Sequence, residues 1–108
     1  MMNILVIVEH DNGAVNAATL NTVAAAQAIG GDIDALVSGH NCNKAAEAAA
    51  AISGISKVIV SDAAENANGL AENIAPLIAG MAGSYSHILA PATTYGKNIL
   101  PRVAALSD

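Results

Sequence analysis

Residues with chemical potential gather where four apolar runs end. Glu9-His10-Asp11 follows the first run, Ser38-Gly39-His40 the second, Ser61-Asp62 the third and Pro91-Ala92-Thr93-Thr94 the fourth. His10, His40 and the nearby Cys42 are ligand types that zinc accepts. Against that stand two loop histidines and a thiol whose close cationic neighbour is Lys44, which does not make a reactive thiolate. Glu9, Asp11, Asp62 and Thr93 superficially fill the acid, aspartate and hydroxyl positions of a phosphoacceptor domain. The stretch from Thr93 to Asn98 precedes a helix whose N-terminus could hold an anion, with Thr93 or Thr94 as its cap. Lys97 and Arg102, two of the four basic residues, lie here. Two readings stay open for them: a phosphate or carboxylate contact, or capping with ion pairing at a surface or subunit interface.

Nucleotide fingerprints are weak. A dinucleotide turn needs three spaced glycines after the first strand, and Glu9-His10-Asp11-Asn12-Gly13 offers one. Gly96-Lys97-Asn98 has the centre of a P-loop, but Pro91 stands for the first glycine and Asn98 for the hydroxyl residue. No serine sits in the G-x-S-x-G frame of a hydrolase elbow.

The elements that must hold these residues alternate regularly. Ile4–Val8 is a continuous β-branched and aliphatic run, as in a strand buried on both faces. Asn16 caps a helix over 17–29, with Leu20, Val23 and Ala24 on one face, and Gly30-Gly31 ends it. Ile33–Val37 is a second strand, and Asn43 caps a short helix over 44–52 that ends at Gly54. Lys57–Val60 is a third strand, followed by a polar loop over 63–69. Leu70, Ile74, Leu77, Ile78 and Met81 form a helical stripe, with Pro76 setting its start near Asn73 or bending it. His87–Ala90 is a fourth strand, stopped by Pro91. Ile99, Leu100, Val103 and Leu106 mark a fourth helix with Pro101 in its first turns.

The count is four βα units. Right-handed crossovers make this an α/β fold, a three-layer doubly wound parallel sheet of Rossmann-like type. Strand four beside a central strand one would be an edge without lysine protection. The expectation is therefore one domain over 1–108, incomplete and cut after the fourth βα unit.

Composition narrows the function classes. The 108 residues are 54% hydrophobic and 2% aromatic, and the formal net charge is −5. Neither a basic footprint nor stacking aromatics are present for nucleic acid. One cysteine excludes an internal disulfide framework. The opening residues lack a basic n-region, and no run reaches the ~18 apolar residues of a membrane span. The expectation is a cytoplasmic bacterial protein with no signal or transit peptide and no membrane insertion.

At Ala92-Thr93-Thr94-Tyr95-Gly96-Lys97-Asn98-Ile99-Leu100-Pro101-Arg102-Val103-Ala104-Ala105 the sequence resembles the Gly-Lys-Asn-x-Leu-Pro-Arg-Val-Ala-Ala segment of electron transfer flavoprotein alpha subunits. Ile4–His10, Thr19–Ala26, Gly54–Val58 and Pro76–Ile78 are also similar in order and spacing. The resemblance implies an electron carrier, not an enzyme, that passes electrons from flavoprotein dehydrogenases to a quinone-reducing or equivalent acceptor. It implies an alpha/beta heterodimer, with FAD mainly in the alpha subunit's C-terminal domain and AMP in the beta subunit. It also implies an adenine nucleotide alpha-hydrolase-like N-terminal domain that packs on the beta subunit.

The family's Gly-rich FAD segment is absent from this sequence. No flavin ligand is therefore assigned here, and no cofactor is expected on this chain. Candidate cleft residues are Glu9, His10, Thr93, Thr94, Gly96 and Lys97; candidate interface residues are Lys97, Asn98 and Arg102. The alternative is a stand-alone module binding AMP or ATP at the 9–11 and 92–97 loops.

Overall fold

The computed structural model describes residues 3–10, 15–62 and 71–107. Four parallel strands, β1 (Asn3–Ile7), β2 (Asp32–Gly39), β3 (Lys57–Asp62) and β4 (His87–Leu89), form one sheet in the order β3-β2-β1-β4. Between and after them run α1 (Ala17–Ile29), α2 (Asn43–Ala50), α3 (Ala71–Met81) and α4 (Thr94–Ser107). The expected Rossmann-like α/β arrangement is the one observed. Among the described residues no helix is long and apolar enough to cross a membrane. The 63–69 loop, Leu70 and Asp11 lie outside the described residues.

β1 is central because its residues suit no other place. Ile4 through Val8 are 0–1% exposed, and side chains alternate between two faces of the sheet. Leu5 and Ile7 join Leu36, Ile74, Ala75, Ile78, Ile99 and Val103 under α3 and α4. Ile4 and Val6 join Val23, Ala26 and Ile33 under α1, while Val8 joins Ala35, Val37, Cys42, Ala45 and Ala49 under α2. Alanines on α1 and α2 let those helices lie close to the sheet. β2 is longer than the expected 33–37 because its ladder with β3 extends to Gly39↔Asp62.

Several local expectations are corrected. On α1 the buried face is Thr19, Thr22, Val23 and Ala26; Ala24 is exposed and Leu20 is 51% exposed. Hydroxyl bonding decides this. Thr19 exchanges hydrogen bonds with the Glu9 backbone, and the Thr22 hydroxyl donates to the Ala18 carbonyl at 3.0 Å. Both threonines are thus satisfied while buried. Asn16 does cap α1, accepting from the Ala18 N–H at 2.8 Å, and Gly30 ends it at φ 87°. Asn43 is the first residue of α2 rather than its cap; buried Cys42 holds the cap position and makes no side-chain cap bond. α3 starts at Ala71, before the expected Asn73, and keeps Pro76 inside it. Leu77 and Met81 pack on the buried Ile74 and Ile78 as the stripe implied. β4 stops at Leu89, Pro101 is an interior residue of α4, and Leu106 is 57% exposed.

At the amino end of the sheet the Tyr85 hydroxyl donates to Asp34 Oδ2 at 2.8 Å, and Lys57 Nζ lies 3.6 Å from the same oxygen. Burial, then the hydrogen bond to Asp34 and its charge, push the Tyr85 hydroxyl up to about 12. An unfolded tyrosine ionises near ~10. The neutral hydroxyl therefore contributes its full stability below about pH 10, and the contribution is lost as pH rises toward 12. Tyr85→Phe is expected to cost about 1–2 kcal/mol at pH 7. The difference from the unsubstituted protein should shrink between pH 10 and 12, as measured by urea unfolding across that range.

Candidate functional site

Open parallel sheets bind ligands at the carboxyl ends of the strands, where the strand order reverses. Here that point lies between β1 and β4. The loop after β1 carries Glu9, and the loop after β4 carries Thr93. The Thr93 hydroxyl donates to Glu9 Oε1 at 3.0 Å. The Glu9 N–H donates to Thr19 Oγ1 at 3.0 Å, and the Glu9 carbonyl accepts from the Asn16 N–H at 2.8 Å. Glu9 thus ties the end of β1 to the start of α1 and to the loop that enters α4.

Thr93 also caps α4. Its carbonyl accepts from the Lys97 N–H at 2.9 Å, and its hydroxyl lies 3.5 Å from the Gly96 nitrogen. Of the two capping candidates, Thr93 precedes the helix and Thr94 is its first residue. Gly96 is the third residue of α4 and is buried. A Cβ there would overlap the Pro91 carbonyl oxygen and stand 3.2 Å from Ala90 Cβ. Glycine is required here by close passage of the helix backbone against Pro91. Lys97 and Asn98 are exposed on the next turn.

Cleft groups at the other strands are engaged elsewhere. His10 Nε2 lies 2.7 Å from the Ser38 carbonyl oxygen. Asp62 accepts from the Asn41 N–H at 2.9 Å and the Cys42 N–H at 3.3 Å, and His40 Nδ1 lies 3.9 Å from it. Asn41 has φ 55°, so two successive amides converge on one carboxylate. Burial, then the Asp62 charge, push the Cys42 thiol up. That is the reverse of what a reactive thiolate or metal ligand needs. Among the described residues no cluster of three metal-ligating side chains occurs. The phosphoacceptor reading fails on topology as well. β2 separates β3 from β1, so Asp62 lies away from Glu9, and its carboxylate already accepts from backbone amides.

A groove of about 340 Å³ opens beside α1, lined by Ala18, Asn21, Thr22 and Ala25 and by Leu89, Ala90 and Ala92. Its lining contains no charged side chain. Among the described residues, the cleft groups Glu9, Thr93 and Asp62 suit a nucleotide phosphate poorly. Glu9 presents negative charge at the switch point, the Thr93 hydroxyl already donates to it, and the Asn41 and Cys42 amides already hold Asp62.

Asp62 is the site residue whose role the sequence hides: nothing in Ser61-Asp62 shows that its partners are amides some twenty positions earlier. The expected effect of Gly96→Ala follows from the Pro91 contact. Alanine for glycine in an open helix usually stabilises by about 0.5–1 kcal/mol. Gly80 should behave so, because a Cβ added there would meet nothing within 4 Å. Gly96→Ala should instead destabilise by about 1–3 kcal/mol and Gly96→Val by more. Paired chemical denaturation of Gly80→Ala and Gly96→Ala checks the opposite signs.

The family model for the electron transfer flavoprotein domain matches residues 4–108. The chain is 65% identical over 107 residues to the electron transfer flavoprotein subunit alpha of Pseudomonas aeruginosa, covering 99% of this chain and 35% of that protein. It is 51% identical over 108 residues to the subunit alpha of Paracoccus denitrificans, with the same coverage of 99% and 35%. The mitochondrial subunit alpha of Dictyostelium discoideum is 42% identical over 110 residues, covering 94% of this chain and 31% of that protein. The chain thus spans about a third of the length of these curated relatives. With the family match running through nearly every described element, the chain belongs to the electron transfer flavoprotein family.

Proposed function

We propose that residues 1–108 are an N-terminal α/β scaffold of an electron transfer flavoprotein alpha subunit. In this reading the whole protein is an electron carrier, not an enzyme, and works in the bacterial cytoplasm. It takes electrons from flavoprotein dehydrogenases and delivers them to a quinone-reducing or equivalent acceptor. FAD is held by a part of the alpha subunit outside these residues, and AMP by the beta subunit. The role of this segment is to dock on the beta subunit, with Lys97, Asn98 and Arg102 of α4 among the contacts.

The observation that carries the division of labour is the engagement of the cleft. Glu9, Thr93 and Asp62 accept or donate hydrogen bonds to this chain's own groups at the positions where a nucleotide phosphate would need donors. A dinucleotide entering there would have to displace the Thr93–Glu9 bond and meet an uncompensated carboxylate. The high identity to alpha subunits supports the carrier role.

Titration calorimetry of the 108-residue chain with FAD, AMP and ATP in turn is expected to give no binding heat, and the purified chain should lack flavin absorbance. A flavin absorbance spectrum in this chain would overturn the placement of FAD. Stoichiometric AMP or ATP binding lost in Thr93→Val would favour a nucleotide-binding module instead.

A further inference from the structure

At the amino end of the sheet an aromatic hydroxyl meets a carboxylate, and rigid elements hold both in place. Asp34 pairs in register with Leu5 of β1 and Lys57 of β3, and it is 8% exposed. Tyr85 follows a 3-10 turn over Ala82–Ser84; its N–H donates to the Ala82 carbonyl, and the next N–H, that of Ser86, donates to the Asn3 carbonyl at 2.8 Å. The Tyr85 hydroxyl donates to Asp34 Oδ2 at 2.8 Å, a distance at which a positioned base takes a proton. Tyr85 is half-buried against the cluster that contains Leu5, Leu36, Ile74 and Ile78, while Gly83, Ser84 and Ser86 beside it are exposed.

Aromatic rings that can lose an electron are scarce in this chain, which has no tryptophan and two tyrosines. A phenol that loses one electron becomes a strong acid, and a cationic ring against apolar side chains is costly. The proton must therefore leave with the electron. Prior ionisation into water is closed at neutral pH, because burial, then the Asp34 hydrogen bond and charge, push the hydroxyl up to about 12. The carboxylate already bonded to the hydroxyl supplies the other route.

We infer that Tyr85 and Asp34 form a proton-coupled oxidation site, at which an oxygen-centred radical takes one electron from the Tyr85 ring. In that step the phenolic O–H bond breaks and its proton passes to Asp34 Oδ2. Tyr85 is left as a neutral tyrosyl radical beside a neutral carboxylic acid. The oxidant gains the electron and, with a proton from solvent, becomes the corresponding hydroxyl compound. Lys57 Nζ, 3.6 Å from the same oxygen, repels the arriving proton and restrains the step. The pair is thus a trap for one-electron oxidants. It stands apart from the carrier reading, which places FAD outside these residues.

The test is flash photolysis with photogenerated tris(bipyridine)ruthenium(III) as the one-electron oxidant, following tyrosyl absorbance at neutral pH. All measurements use a Tyr95→Phe background, in which Tyr85 is the one tyrosine. Free N-acetyltyrosinamide should oxidise faster as buffer base is added, because its proton needs an external acceptor. Tyr85 should oxidise at a rate independent of buffer base, because its acceptor is built in. Asp34→Asn, checked for folding by circular dichroism, is expected to slow the step roughly a hundredfold, the lower end of what a positioned base contributes. The same variant should acquire the buffer dependence of free tyrosine. Lys57→Gln should be at least as fast as its parent, which separates loss of the acceptor from disturbance of the polar cluster. A Tyr85 rate that climbs with buffer base as free tyrosine does would overturn the inference, whether or not Asp34→Asn folds. So would an unchanged rate in folded Asp34→Asn.

Discussion

Glu9 stands where three elements meet, and its hydrogen bonds set how they meet. The Thr19 hydroxyl accepts from its N–H and lies 3.3 Å from its carbonyl, which also takes the Asn16 N–H. Its carboxylate accepts from Thr93. One residue at the end of the central strand therefore fixes the rotation of α1 about its axis and the entry of α4. Thr19 is pulled to 0% exposure by these bonds, which leaves Leu20 turned outward. The helix face that a hydrophobic count would bury yields to a hydroxyl that the adjoining backbone needs. A buried unpaired N–H would cost more than one exposed leucine.

The same pattern recurs at both ends of the sheet. At the carboxyl end Asp62 receives the amides of Asn41 and Cys42, so the positive φ at Asn41 is held by a carboxylate at the end of the neighbouring strand. At the amino end Asp34 receives Tyr85 and stands beside Lys57. Glu9, Asp34 and Asp62 each have a partner within the chain. Edges of this kind hold phosphates in many open α/β sheets. Here the described acids at those ends are held by the chain's own hydrogen-bond donors.

Much of the fold was legible because the apolar runs are unambiguous. Ile4–Val8 suits a strand covered on both faces, and the βα alternation leads to a parallel sheet with β1 inside. Capping was half legible. Asn16 announces α1 and performs as expected, whereas Asn43 looks like a cap but gives way to Cys42, whose burial in the α2 core fixes where that helix begins. Gly96 drew notice as a cleft candidate, whereas its contact with the Pro91 carbonyl was not legible, since it depends on how tightly α4 folds back after β4. The candidate site was the least legible part. Whether Glu9, Asp62 and Thr93 face a ligand or each other is decided by distances between loops far apart in sequence, and no local pattern encodes those.

β4 pairs with β1 through three residues, Ile4↔His87, Leu5↔Ile88 and Val6↔Leu89, across more than eighty positions of chain. One of the two strand neighbours of β1 is available early, since β2 follows directly after α1. The other, β4, arrives only some eighty residues later. During translation, at roughly 5–20 residues per second, one flank of the most buried strand stays unpaired for several seconds. Loop closure over such a separation is also a slow, late event in refolding. The most apolar segment of the molecule is thus the one that waits longest for its second neighbour, and it is in that interval that the nascent chain is most open to aggregation or to chaperone capture.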